Sequence, residues 1–198
     1  MRLADVRAEA RGCRACDLWK AATQTVFGEG PAPATVMMVG ETPGDQEDQQ
    51  GHPFVGPAGA LLDKGLEAAG IDRTKVYLTN VVKHFKWERG AKSARRIHKK
   101  PNATEVAACR RWLDAELKAV KPRIIVCLGA TAAQAILGKS FRVTKQRGVP
   151  VPSPLAPVVV ATVHPASVLR AIDSASRRRE ERAFFADLKK VAKLVAAK

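Results

Sequence analysis

The sequence predicts an α/β fold, a three-layer α/β/α sandwich around a central four-stranded, mainly parallel sheet. Four short apolar runs, at residues 35–39, 76–82, 123–128 and 158–163, are rich in valine, isoleucine and other strand-compatible residues. They read as strands buried on both faces. Stretches of helical spacing lie between and after them, and strands alternating with helices imply a parallel sheet covered on both sides.

The first run leads into Gly40-Glu41-Thr42-Pro43-Gly44-Asp45, a turn-forming loop with carboxylates. Residues 58–69 then place Leu61, Leu62, Leu66 and Ala69 at helical spacing before Gly70. The second run carries Thr79-Asn80 and leads into Lys83-His84. Residues 104–120 open with Thr104 as a candidate cap and gather Val106, Trp112, Leu113 and Leu117 near one side of a helix. The third run passes into Gly129-Ala130-Thr131 and a helix over 129–137, and the proline-rich stretch 150–157 reads as a connection between elements. The fourth run ends in His164-Pro165-Ala166-Ser167, and residues 180–195 form a terminal helix carrying Phe184, Leu188, Val191 and Val195. Ligands of open α/β sheets bind beyond the carboxyl ends of the strands, where these polar segments converge.

Length and composition narrow the function. The 198 residues suit one domain spanning 1–198. The apolar residues are dispersed rather than gathered into a run of about 18 or more, and the start lacks a signal-peptide stretch, so a cytoplasmic protein without membrane attachment is expected. Lysine and arginine number 34 against 19 acidic residues, a net charge of +15. Such a field attracts a polyanion and points to nucleic acid.

Several segments carry chemistry. The loop 40–48 can position acids at a strand end, and Phe54, set between glycines and prolines, offers a flat face on which a flipped base can stack. Cys13-Arg14-Ala15-Cys16 has the spacing of a metal-ligand pair, although two such thiols alone are equally compatible with redox chemistry. Cys127, inside an apolar strand, reads as a small core residue. Residues 83–101 form a long cationic loop interrupted by aromatics, which by itself reads as a phosphate-binding segment.

The glycine-glutamate-x-proline-glycine loop, the stretch Pro53-Phe54-Val55-Gly56-Pro57-Ala58-Gly59, Thr79-Asn80 and His164-Pro165-Ala166-Ser167 occur in the order and approximate spacing of the iron-sulfur uracil-DNA glycosylases. The resemblance covers nearly the whole chain, and Arg95-Arg96-Ile97-His98 resembles the basic loop that marks the UdgX type, a group related to family 4. It implies excision of uracil from DNA, with Phe54 stacking on the flipped base, Asn80 reading its Watson–Crick edge and His164 stabilising the departing anion. It further implies that His98 is a nucleophile that becomes covalently joined to the sugar. Glu41 would accept the other ring N–H of His98, Asp45 would help position the sugar or a water, and Thr42, Arg95 and Arg96 would contact substrate. Cys13, Cys16, His84 and Cys109 match the positions of the ligands of a [4Fe-4S] cluster, although three cysteines and a histidine also suit tetrahedral zinc.

The implied partner is uracil-containing DNA, single-stranded in the first place and double-stranded in the second, acted on by a monomer. Two departures from the UdgX pattern stand out: Lys92 is separated from Arg95 by Ser93 and Ala94, and Thr42 occupies a position where the type often carries glutamine. A conventional turnover glycosylase, in which His98 only contacts phosphate, is the alternative. A non-catalytic nucleic-acid-binding module with a structural metal is a second, from another class.

Overall fold

The computed structural model describes residues 2–90 and 94–197. Its central sheet has five strands rather than four, β1 (Val36–Gly40), β2 (Val76–Asn80), β5 (Ile124–Leu128), β6 (Pro150–Ser153) and β7 (Ala156–Thr162), in the order β2-β1-β5-β7-β6. All neighbours are parallel except β6, which pairs antiparallel with β7. The proline-rich connection expected at 150–157 therefore contains an edge strand. Proline lacks an N–H for the ladder, which an edge tolerates because one side of the strand has no partner.

Successive strand residues face opposite sides, and two apolar cores follow. Met37, Val39, Tyr77, Ile125, Cys127, Val159 and Ala161 pack with α1 (Leu3–Arg11), α4 (Ala103–Val120) and α5 (Ala130–Leu137). Val36, Met38, Leu78, Val126, Leu128 and Val160 pack on the other face against α3 (Pro57–Ala69), α7 (Pro165–Leu169) and α8 (Ser174–Ala196), while the short α6 (Val143–Gln146) precedes β6. Three layers result, as expected. The chain leaves β1 for β2 on one side and later reaches β5 on the other, so the order reverses beside β1, the place where such sheets bind ligands.

Two helix starts differ from expectation. Asn102, not Thr104, caps α4: its side chain accepts the Glu105 N–H at 2.9 Å while Glu105 accepts the Asn102 N–H at 2.7 Å, a reciprocal capping box. The last helix begins at Ser174, capped by Asp173, six residues before its apolar period becomes visible. Its first turns are arginine-rich and face outward.

The cationic loop is partly ordered as a hairpin. β3 (Trp87–Arg89) pairs antiparallel with β4 (Arg96–His98), placing Trp87 opposite His98 and Arg89 opposite Arg96. Lys92 lies outside the described residues. No helix of the described residues is long and apolar enough to cross a membrane.

Candidate active site

Gly40 and Asn80 are paired at the carboxyl ends of β1 and β2. Beyond them, the N–H groups of Val81 and Val82 donate to the carbonyls of Gly40 and Glu41 at 2.9 and 3.0 Å. This holds the Glu41 backbone beside the Asn80 strand end. A Cβ on Gly40 would run into Asn80 Oδ1 and Phe54 Cζ and force those side-chain ends to shift. The two side chains converge over a glycine that makes room for both.

Phe54 is buried and has φ 58°. A bulky residue at positive φ is strained by about 1–3 kcal/mol and persists only where its surroundings enforce it. Glu47, in α2 (Asp45–Gln50), supplies part of that enforcement, its carboxylate accepting N–H groups from Gly44 at 3.1 Å and Gly56 at 2.9 Å. Gly59 supplies more, since any Cβ there would collide with the Phe54 carbonyl. The Phe54 ring stacks near that of His164, with centroids 6.3 Å apart and planes 28° from parallel.

His164 caps α7, its Nδ1 accepting the Ala166 N–H at 3.2 Å. An accepting Nδ1 places the neutral ring's proton on Nε2, leaving an N–H donor for a ligand. Burial, reinforced by the charges of His98 and Arg170, pushes its pKa down to about 4. The ring is therefore a neutral donor at physiological pH.

His98 stands on β4 with its Nε2 3.8 Å from Glu41 Oε1, and its side chain is 40% exposed. Burial lowers its pKa below the ordinary 6.5, Glu41 opposing and Arg170 assisting the shift. Glu41 is held from behind by the hydroxyl of Thr131 at the start of α5. The ring of Phe85 lies 6.1 Å from that of His98.

Arg96 lies two residues before His98 and so on the same face of β4. Expected among the substrate contacts, it is engaged by carboxylates: Nε donates to Asp45 at 2.5 Å and Nη1 to Asp48 at 2.6 Å, with the rings of Phe85 and Trp87 beneath it. Asp48 is fully buried and also accepts the backbone N–H and hydroxyl of Thr23. The hairpin carrying His98 is thus pinned to α2 and to the amino-terminal segment. Asp45 is spent on this latch and on Gln49. Thr42 donates to the His84 carbonyl at 2.8 Å, which ties the acidic loop to the second strand end. Arg95 is exposed just before β4.

The three candidate sulfur ligands share one neighbourhood. Cys109 feels the charges of Cys13 and Cys16, and each sulfur receives an N–H: from Trp112 Nε1 to Cys13 at 3.1 Å, from Leu18 to Cys16, and from Lys83 to Cys109 at 3.2 Å. Such bonds suit thiolates bound to a metal centre. Burial, only partly offset by Lys83, pushes the Cys109 thiol up to about 11, so a cationic centre would favour its ionisation at neutral pH. Cys13 and His84 line a cavity of about 210 Å³. His84 Nε2 lies 2.9 Å from the Thr25 hydroxyl, whose own proton goes to the Ala10 carbonyl at 3.0 Å. Nε2 must then be the donor, and Nδ1 keeps the lone pair a metal requires. Among the described residues no group of three or more His, Cys, Asp or Glu converges on a point that could hold a single metal ion. By donor type alone, three thiols and an imidazole suit either an iron-sulfur cluster or zinc. Cys127 is buried in β5 and is core, its thiol pushed upward by burial.

A family model described as "Uracil DNA glycosylase superfamily" matches residues 27–189. The chain belongs to the uracil DNA glycosylase superfamily. The type-4 uracil-DNA glycosylase of Thermotoga maritima is 39% identical over 84% of this chain and 82% of its own length. That of Archaeoglobus fulgidus is 36% identical over 99% and 94%. The type-5 uracil-DNA glycosylase of Pyrobaculum aerophilum is 30% identical over 69% and 62%.

In this superfamily member Glu47, Asp48 and Thr131, which hold the backbone around Phe54, Arg96 and Glu41, carry no motif of their own in the sequence. Glu47 and Asp48 were visible as carboxylates in the 40–48 loop. Their inward direction was not, since a short helix after Gly44 has too few residues to show a period.

Proposed function

We propose that this protein excises uracil from DNA and that His98 then bonds to C1′ of the sugar left behind. The observation that carries this reading is the placement of His98 and Glu41 beside the strand end where Phe54, Asn80 and His164 meet. The cationic surface gathers DNA through phosphates, and the target nucleotide leaves its stack to lie against Phe54. The Asn80 amide offers both a donor and an acceptor to the base edge. As the C1′–N1 bond breaks, His164 Nε2–H donates to the uracil oxygen on which negative charge collects.

The electron-deficient C1′ is then attacked by the His98 nitrogen that bears the lone pair, while the ring nitrogen facing Glu41 carries the proton. Bond formation makes the ring cationic, and that proton passes to Glu41 or solvent. The uracil anion takes a proton from water, so charges and atoms balance. A [4Fe-4S] cluster on Cys13, Cys16, His84 and Cys109 would supply a structural tie between the amino-terminal segment and α4, because base removal needs no electrons.

A single-stranded oligonucleotide containing one uracil tests the reading: after denaturing electrophoresis a slow-migrating protein–DNA band is expected. Free protein with alkali-labile abasic DNA instead identifies a turnover glycosylase, and intact DNA identifies a binding module.

Gly40→Ala should displace the flexible ends of Asn80 and Phe54 while leaving the sheet intact. Uracil release is expected to fall about 100-fold from such misplacement, with affinity for uracil-free DNA unchanged in a gel-shift assay. The adduct should also depend on pH. Protonated His98 has no lone pair, so adduct yield is lost as pH falls through its lowered pKa and is complete above it. The midpoint of adduct yield against pH is expected below 6.5, and a midpoint above that value contradicts the assignment.

A further inference from the structure

We infer that the buried Lys83–Glu116 ion pair is a positioning device that fixes the direction of Asn80, an inference that rests on the reading of the pocket given above. Both side chains are fully buried, with Lys83 Nζ 2.6 Å from Glu116 Oε2. The ammonium has three N–H donors, and the other two go to Thr79 Oγ1 at 2.6 Å and the Asn80 carbonyl at 2.7 Å. Its contact with Asn80 is therefore with the backbone carbonyl and leaves the side-chain amide for the base.

Glu116 is equally committed. Its carboxylate accepts the Gly28 N–H at 2.9 Å, the Tyr77 hydroxyl at 3.1 Å and the Thr79 hydroxyl at 2.9 and 3.0 Å. The Phe27 ring lies 5.5 Å from the ammonium. The Lys83 backbone N–H meanwhile donates to Cys109, so α4 grips this strand end at two points, through Glu116 and through Cys109.

Removing two charges from water is costly, and an apolar pair of similar volume often serves stability as well. What an apolar pair does not provide is a donor for the Asn80 carbonyl. The Asn80 amide lies close over Gly40, where a Cβ would run into its Oδ1, so a small rotation of the Asn80 backbone moves that amide off the base edge.

The double variant Lys83→Met/Glu116→Leu removes both charges together and leaves no lone buried ion. Measured at a temperature where the variant is folded, single-turnover uracil release is expected to fall about 10- to 100-fold, with unchanged affinity for a uracil-free single-stranded oligonucleotide. Because the defect passes through Asn80, adding Asn80→Ala should cost no more than Asn80→Ala alone, a non-additivity that a merely structural role does not produce. A folded double variant that releases uracil at the parental rate, or losses that add in full, overturns the inference. Should that variant fail to fold, Thr79→Val, which removes one acceptor of the ammonium at nearly constant shape, is expected to show a smaller loss with the same non-additivity; full additivity or no loss there overturns it equally. A parent chain that releases no uracil contradicts the pocket reading itself, whereas an active parent matched by its variants contradicts this inference alone.

Discussion

Replacing His98 with serine is expected to abolish the denaturation-resistant adduct while uracil release continues. A group held against its target behaves as though present at roughly 10⁵–10⁸ M, far above the concentration of water. On the proposed reading, the imidazole beside Glu41 is expected to capture C1′ ahead of solvent. Serine leaves a small opening through which water reaches the same carbon, and its hydroxyl lacks the basicity and length of the ring. The product becomes an abasic site, read as alkali-labile cleavage of the oligonucleotide, and the enzyme gains turnover. A variant that forms the parental amount of adduct rules out His98, and one that stops releasing uracil assigns His98 to base departure instead.

His164→Ser is expected to slow base release, and with it adduct formation, by about 100- to 1000-fold, the usual cost of removing one donor from a developing oxyanion. Serine retains an oxygen suited to capping α7, so the loss reports the missing Nε2–H rather than an uncapped helix. The low pKa of His164, about 4, adds a second signature. A ring that is neutral throughout the working range contributes no ionisation to the rate of base release in the parent protein between about pH 5 and pH 8. Quenched-flow measurement of free uracil separates this step from capture: His98→Ser should leave it nearly unchanged, His164→Ser should not.

The elements that the sequence made legible share a physical origin. β1, β2 and β5 are buried throughout and β7 over most of its length, so each appears as a largely apolar run. β6 does not, because an edge strand with two prolines carries neither an apolar run nor a full ladder. β3 and β4, three residues each, are too short for an alternation to stand out from a run of like charges. Phe54, Asn80, His164, Glu41 and His98 were recognisable through the resemblance of their motifs to those of the iron-sulfur uracil-DNA glycosylases, His98 through that resemblance alone. The structure brings all five to one end of the sheet.

The direction of Arg96 was hidden by its neighbours. In a run of cations nothing local distinguishes the one that turns inward, and its partners Asp45 and Asp48 lie about fifty residues earlier in the chain. Lys83 and Glu116 were silent for a related reason: a lysine beside a histidine in a basic stretch reads as surface, and only the packing of α4 against β2 shows it to be fully enclosed.

The most direct measurement is peptide mapping by mass spectrometry after the protein has met a uracil-containing single strand. The expected result is one modified peptide containing His98, heavier by the oligonucleotide less the mass of uracil. A modification on another residue, or an unmodified chain beside abasic DNA, contradicts capture by His98.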